Sequence, residues 1–202
     1  MSGIRTITTV LLDLDGVIRH FDGDHLGIVE RDHELPSGSI SEVAFESTLI
    51  DQVITGRLTK AEWRDVVGER LGRPAAAAAW MADPGTVDDE LLAEVDGLRA
   101  SGITVAILTN GTDTIAEEAA ALGFDHRVDA IFSTADIGYA KPDRRAFEHV
   151  CRELGVEPRS VFFTDDSETK LVGAREIGMT AHRYEGVNVF RRHLRELGVG
   201  RR

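Results

Sequence analysis

Asp13-Leu-Asp15-Gly16 follows the apolar run Ile7-Thr-Thr-Val-Leu-Leu12, so two carboxylates and a glycine stand where a buried strand opens into a turn. Carboxylates at such a strand tip stand where open α/β sheets bind their ligands. They are costly at the tip of a central strand unless a cation sits nearby. A pair of solvated turn aspartates would show the same tetrapeptide, so the chemistry depends on what accompanies it. Three further segments supply company. Ile103-Thr-Val-Ala-Ile-Leu108 ends in Thr109-Asn110-Gly111, a hydroxyl and an amide just before a helix predicted over 112–122, whose N-terminus would suit a phosphate. Ordinary turn chemistry accounts for Thr-Asn-Gly equally well. Gly138-Tyr-Ala-Lys141-Pro142-Asp143 presents an ammonium from a loop stiffened by proline. Val161-Phe-Phe-Thr-Asp165-Asp166-Ser167 brings a second acidic pair to a second strand tip, completing the oxygen-rich kind of site that Mg²⁺ prefers.

The elements that must position these residues are β-rich runs, each followed by a stretch with helical apolar spacing. That pattern reads as an α/β fold with a parallel sheet, whose ligands bind beyond the carboxyl ends of the strands. Alternation along the first strand would turn Asp13 and Asp15 to one side, and Gly16 would allow a sharp turn. Helices are predicted around Ile115, Ala116, Ala119 and Leu122 before Gly123, and around Ala146, Phe147, Val150, Cys151 and Leu154 before Gly155. A third carries Leu171, Val172, Ala174 and Ile177 before Gly178. Between the first two strands lies an insertion, about Val17 to Asp83, with no strand signal. Ser39 with Glu42 and Thr59 with Glu62 are spaced as capping boxes, and helical apolar runs follow both. Ala75 to Ala79 is a helix former. Turn residues cluster at Gly16 to Arg19 and at Asp83-Pro84-Gly85, where hinges are expected.

In order and spacing, the four segments resemble the four motifs of the haloacid dehalogenase superfamily of aspartate-nucleophile phosphohydrolases. The resemblance covers most of the chain. It implies a three-layer Rossmann-like core with a five-stranded parallel sheet of order 5-4-1-2-3, formed by 1–16 and 84–202, and a small helical type-one cap formed by 17–83. It implies that Asp13 is the nucleophile and Asp15 the acid and base. Thr109, Asn110 and Gly111 would hold the transferred phosphoryl group, and Lys141 would balance charge on the phosphate and on Asp13. Mg²⁺ would be held by Asp166, with Asp165 in support, by one Asp13 oxygen and by the Asp15 backbone carbonyl. Dehalogenases resembling this fold lack the second aspartate, so Asp15 points to phosphate chemistry. Lys170 departs from the pattern, standing where relatives carry Asn or Asp.

The expected activity is Mg²⁺-dependent hydrolysis of a small phosphorylated metabolite, such as a sugar phosphate. The alternatives are a phosphosugar mutase of the same fold and a non-catalytic metabolite-binding or regulatory protein. At 202 residues and 42% hydrophobic content, one sizeable core and an accessory module can form. A net charge of −12 argues against a nucleic-acid backbone or an anionic membrane as partner. The start, Met1-Ser-Gly-Ile-Arg-Thr6, shows no leader pattern, and a cytosolic location is expected. Whether the protein is a monomer or a homodimer is left open. His20, His25 and His33 match no zinc spacing, although His20 and Asp22 follow the catalytic loop closely enough to face a substrate. Trp63 and Cys151 read as core, Arg144 and Arg145 as a solvated helix start, and Arg201-Arg202 as a solvated tail.

Overall fold

The computed structural model describes residues 6–199; the Met1–Arg5 start and the Arg201-Arg202 tail lie outside the described residues. Among the described residues, seven strands occur in chain order: β1 (Thr9–Leu12), β2 (Arg19–His20), β3 (Thr86–Val87), β4 (Thr104–Thr109), β5 (Ala130–Ser133), β6 (Val161–Asp165) and β7 (Thr180–Arg183). Five of them form a parallel sheet in the order β5-β4-β1-β6-β7. Counting those five alone along the chain, this is the expected 5-4-1-2-3 order read from the opposite edge. β1 is central, with Leu12 opposite Ile107 on one side and Thr164 on the other, so the three strand tips that carry the motifs lie side by side.

Alternation along the strands divides the core. Val10 and Leu12 of β1, Val105 and Ile107 of β4 and Phe162 of β6 face one layer, while Leu11, Ala106, Leu108 and Phe163 face the other. Five helices come first in the chain: α1 (His25–Asp32), α2 (Ser39–Ala44), α3 (Ser47–Ile54), α4 (Lys60–Leu71) and α5 (Pro74–Met81). Next are α6 (Asp89–Ala100), α7 (Ile115–Leu122), α8 (Thr134–Ile137), α9 (Arg144–Leu154), α10 (Val172–Glu176) and α11 (Val187–Glu196). Leu91, Leu92, Val95 and Leu98 of α6, Ile115 and Ala119 of α7 and Phe190 and Leu194 of α11 cover the first face. Phe147, Val150 and Cys151 of α9 and Ala174 of α10 cover the second. Each fully buried large side chain contributes about 1.5–3 kcal/mol relative to exposure. Cys151 is a packed thiol, and burial pushes it up to about 11.

Helices α1–α5 pack on one another through two apolar clusters of their own, one around Ala44, Leu49, Val53, Trp63, Val67 and Ala77, the other around Val29, Ile40 and Ala76. Trp63 is core, as expected, and its Nε1 donates to the Ala44 carbonyl at 3.1 Å. The capping box at Thr59 and Glu62 is present. The one at Ser39 is not. There Gly38 occupies the cap in a left-handed conformation (φ +86°), and the buried Glu30 carboxylate accepts from Gly38 N (2.8 Å) and Ile40 N (2.9 Å). The absence of strand between 17 and 83 is also corrected. β2 pairs antiparallel with β3, Arg19 opposite Val87 and His20 opposite Thr86, so the two chain segments that link α1–α5 to the sheet run together as a short ribbon. Such a pair is dictated by a distant partner strand and not by local propensity.

Candidate active site

Asp13 is the first residue beyond β1, held in line by its N–H donating to Thr164 O at 2.9 Å. Because the strand ends at Leu12, the turn, and not alternation along a strand, sets where Asp15 points. Asp15 accepts from Arg19 Nε at 2.6 Å. Gly16 closes this turn in the left-handed region (φ +84°), and a Cβ there would run into the Asp166 carboxylate. Glycine is therefore required on two counts, backbone conformation and the close approach of the second acidic pair.

Lys141 is the centre of the site. Its Nζ is fully buried, 2.7 Å from Asp13 Oδ1 and 2.6 Å from Asp165 Oδ2, with the Phe163 ring 5.5 Å away. Asn110 fixes the loop that carries it: its amide donates to Lys141 O at 3.0 Å, and its side-chain oxygen accepts from Lys141 N at 2.8 Å. The residue expected to contact phosphate thus first serves as a clamp for the lysine backbone. Thr109 is buried at the end of β4 and Gly111 follows the clamp. The helix expected over 112–122 starts only at Ile115. Thr112 and Thr114 hydroxyls pair with each other at 3.0 Å, Thr114 Oγ1 also donates to Glu118, and Thr112 O accepts from Ser133 Oγ, which keeps these residues in a turn.

Asp165 ends β6 fully buried, with Oδ1 accepting from Ser167 N at 2.9 Å. Burial and the neighbouring Asp13 charge push its carboxyl up to about 6 against the pull of Lys141. Asp13 is equally buried, yet Lys141 and Lys170 outweigh the cost of desolvation and hold it below the ordinary carboxylate range. Oxygens of Asp13, Asp165 and Asp166 lie within 4.8 Å of one another, and Asp13 Oδ2 is buried without a hydrogen-bond partner. A hard cation fits that orphaned oxygen and that all-carboxylate donor set. The Asp15 side chain lies outside the cluster, turned to Arg19. Lys170, in the turn before α10, places Nζ 3.6 Å from Asp13 Oδ2 and 3.9 Å from Asp165 Oδ1.

A cavity of about 530 Å³ opens from these strand tips toward helices α1–α5; Asp15, Asn110 and Gly111 form its inner end, and Asp22 and His25 line its far side. His20 turns away to Asp88, 4.0 Å distant. Three residues at the cavity escaped sequence reasoning. Arg19 (to Oε2) and Lys60 (to Oε1) both reach Glu118 at 2.6 Å, tying the ribbon and α4 to α7. Lys60 N also donates to Asp113 Oδ1 at 2.7 Å. Partners so far apart along the chain leave no spacing signal; only the placement of Arg19 directly after the acidic turn could have drawn notice. Arg144 and Arg145 are solvated and pair locally with Glu148 and Asp143.

Residues 7–178 match the family described as haloacid dehalogenase-like hydrolase. Among curated relatives, (S)-2-haloacid dehalogenase 4A of Burkholderia cepacia is 34% identical over 44% of this chain, a match spanning only 39% of that relative. D-ribitol-5-phosphate phosphatase of Bacteroides thetaiotaomicron is 23% identical over 93% of this chain and 97% of its own length. A crystal structure of a HAD family enzyme from the same organism superposes with a TM-score of 0.77 at 22% identity, covering 92% of this chain and 98% of that one. Among the described residues, no helix is long and apolar enough to cross a membrane.

Proposed function

We propose that the chain, which belongs to the haloacid dehalogenase-like hydrolases, is a phosphatase of that family that hydrolyses small phosphomonoesters with Mg²⁺ through a phosphoryl intermediate on Asp13. The observation that carries this reading is the Lys141 bridge between Asp13 and Asp165, beside an Asp13 oxygen with no hydrogen bond. A carboxylate kept ionised by two ammonium groups, and left with one oxygen free of hydrogen bonds, is equipped for nucleophilic attack.

In the first step an Asp13 oxygen bonds to phosphorus as the bond to the leaving alcohol breaks, and Asp15, at the inner end of the cavity, gives its proton to the departing oxygen. In the second step Asp15 takes a proton from water, the water oxygen bonds to phosphorus, and the bond to Asp13 breaks to release inorganic phosphate. Arg19 orients Asp15 through its 2.6 Å contact. Lys141 balances negative charge on Asp13 and the phosphoryl oxygens, and Thr109, Asn110 and Gly111 border the phosphoryl site. Mg²⁺, held by carboxylates of Asp13, Asp165 and Asp166 and by the Asp15 carbonyl, would supply charge neutralisation between an anionic nucleophile and an anionic ester. We assign residues 17–83 as a cap over a core of 1–16 and 84–202, closed by the Arg19 and Lys60 contacts to Glu118.

Phosphate release from a broad panel of phosphomonoesters, with and without Mg²⁺, tests the reading. Release that requires Mg²⁺ and is lost in Asp13→Asn, whose circular dichroism stays native, is the expected result. Transfer of phosphate within a hexose phosphate without net release would identify a mutase instead.

A further inference from the structure

We infer that the alcohol half of the substrate carries a flat apolar ring, so that the chain acts on phosphomonoesters of aryl-bearing alcohols in preference to those of open-chain polyols or sugars. The inference rests on the phosphatase reading above and names the substrate class of that same site.

The cavity reaching outward from Asp15 and Asn110 holds about 530 Å³, within the ordinary range for small-molecule sites. Four aromatic rings line it, Phe21, Phe45, Trp63 and Trp80. Phe45 meets Trp63 and Trp80 edge to face at centroid distances of 5.9 and 6.0 Å, and the two indoles meet at 5.1 Å. Such rings are pre-packed, so little side-chain entropy is lost when a ligand settles on them. Phe21 is 49% and Phe45 51% exposed, an unusual state for large apolar side chains and one that a ring bound in the cavity would relieve.

The cationic side chains along the same wall are already paired within the protein, and the other ionisable groups there each hold at least one internal partner. Lys60 and Arg19 are paired with Glu118. His25 Nε2 faces the carbonyls of Ala79 and Trp80, both at 3.3 Å, Asp22 accepts from Asp24 N, and Asp83 accepts from Gly85 N. A polyol moved from water into this space would give up hydration for few open partners, which is unfavourable for each unpaired hydroxyl. An aromatic ring faces no such cost and gains apolar burial.

The test compares kcat/KM for 2-phenylethyl phosphate and glycerol 3-phosphate with the full chain in Mg²⁺. Both are primary alkyl esters, so intrinsic reactivity is similar and the ratio reports recognition. We expect the aryl ester to be favoured by roughly 10- to 100-fold, the effect of burying one ring. Phe45→Ala should cut that ratio about tenfold and Phe45→Tyr should restore most of it; a ratio does not depend on the fraction of protein folded. Equal use of the two esters, a preference for glycerol 3-phosphate, or a ratio that Phe45→Ala leaves in place overturns the inference while the phosphatase reading stands. No release from either ester or from p-nitrophenyl phosphate overturns both.

Discussion

Lys170 Nζ stands 3.6 Å from Asp13 Oδ2, the oxygen of the proposed nucleophile that has no hydrogen bond. Burial would lower the lysine, yet Asp13, Asp165 and Asp166 outweigh it and raise the ammonium above its ordinary value. A fixed cation therefore shares the acidic cluster that is proposed to hold Mg²⁺. The side chain is 31% exposed, so solvent weakens the repulsion without abolishing it.

Lys170→Asn is expected to tighten apparent Mg²⁺ affinity by roughly fivefold, corresponding to about 1 kcal/mol of relieved repulsion in a high-dielectric site. The gain should be larger at low ionic strength than at high. Mg²⁺-dependent shifts of the thermal midpoint measure this without reference to turnover, and activity titrations measure it again. Coincident curves for the two proteins at low salt would make Lys170 a spectator.

Glu118 joins α7 to Arg19 and Lys60, and its loss should loosen the contact between helices α1–α5 and the sheet. Burial raises its carboxyl, but hydrogen bonds from Lys60, Thr114 and Arg19 outweigh that and leave it below its ordinary 4.5. A depressed folded-state pKa means stability that is fully present above about 4.5 and is lost as pH falls through the lower folded value. Glu118→Gln should therefore lower the urea midpoint at pH 7, and the gap from the parent should close toward pH 3. A gap that persists at pH 3 would mean that packing, not charge, is what the substitution removes.

Glu30 takes the capping role that sequence spacing assigns to Ser39. Glu30→Ala leaves Gly38 N and Ile40 N without their acceptor and should cost about 2–3 kcal/mol. Ser39 Oγ is buried with no partner, so Ser39→Ala should be neutral within ~0.5 kcal/mol. Chemical denaturation of both variants decides between the two caps; a cost near 1 kcal/mol for Ser39→Ala would reinstate the capping box.

The central strands and the strand-tip chemistry were legible because apolar runs and acidic turns are local signals. β1, β4 and β6, with Asp13, Lys141 and Asp165 beyond or near their tips, follow directly from such runs. The edge strands β5 and β7 carry mixed residues, Ala-Ile-Phe-Ser and Thr-Ala-His-Arg, and only the fold as a whole locates them. What stayed hidden was decided by partners far along the chain: Glu30 at the start of α2, Ser133 holding Thr112 in a turn, and Arg19 and Lys60 on Glu118. Asn110 is an instructive case. Its type and place drew attention to phosphate, whereas both ends of its amide hold the Lys141 backbone.

The most direct test of the account is to locate the phosphoryl group during turnover. In Asp15→Asn the base for water is removed, so hydrolysis of the intermediate should become the slow step when an aryl phosphate supplies a leaving group that needs no acid. Acid quenching of that variant during reaction with p-nitrophenyl phosphate and Mg²⁺, followed by peptide mass spectrometry, should find an acid-stable, base-labile phosphoryl group on the peptide containing Asp13. A phosphoryl group on any other residue, or release of p-nitrophenol at the parental rate with no labelled peptide, would contradict attack by Asp13.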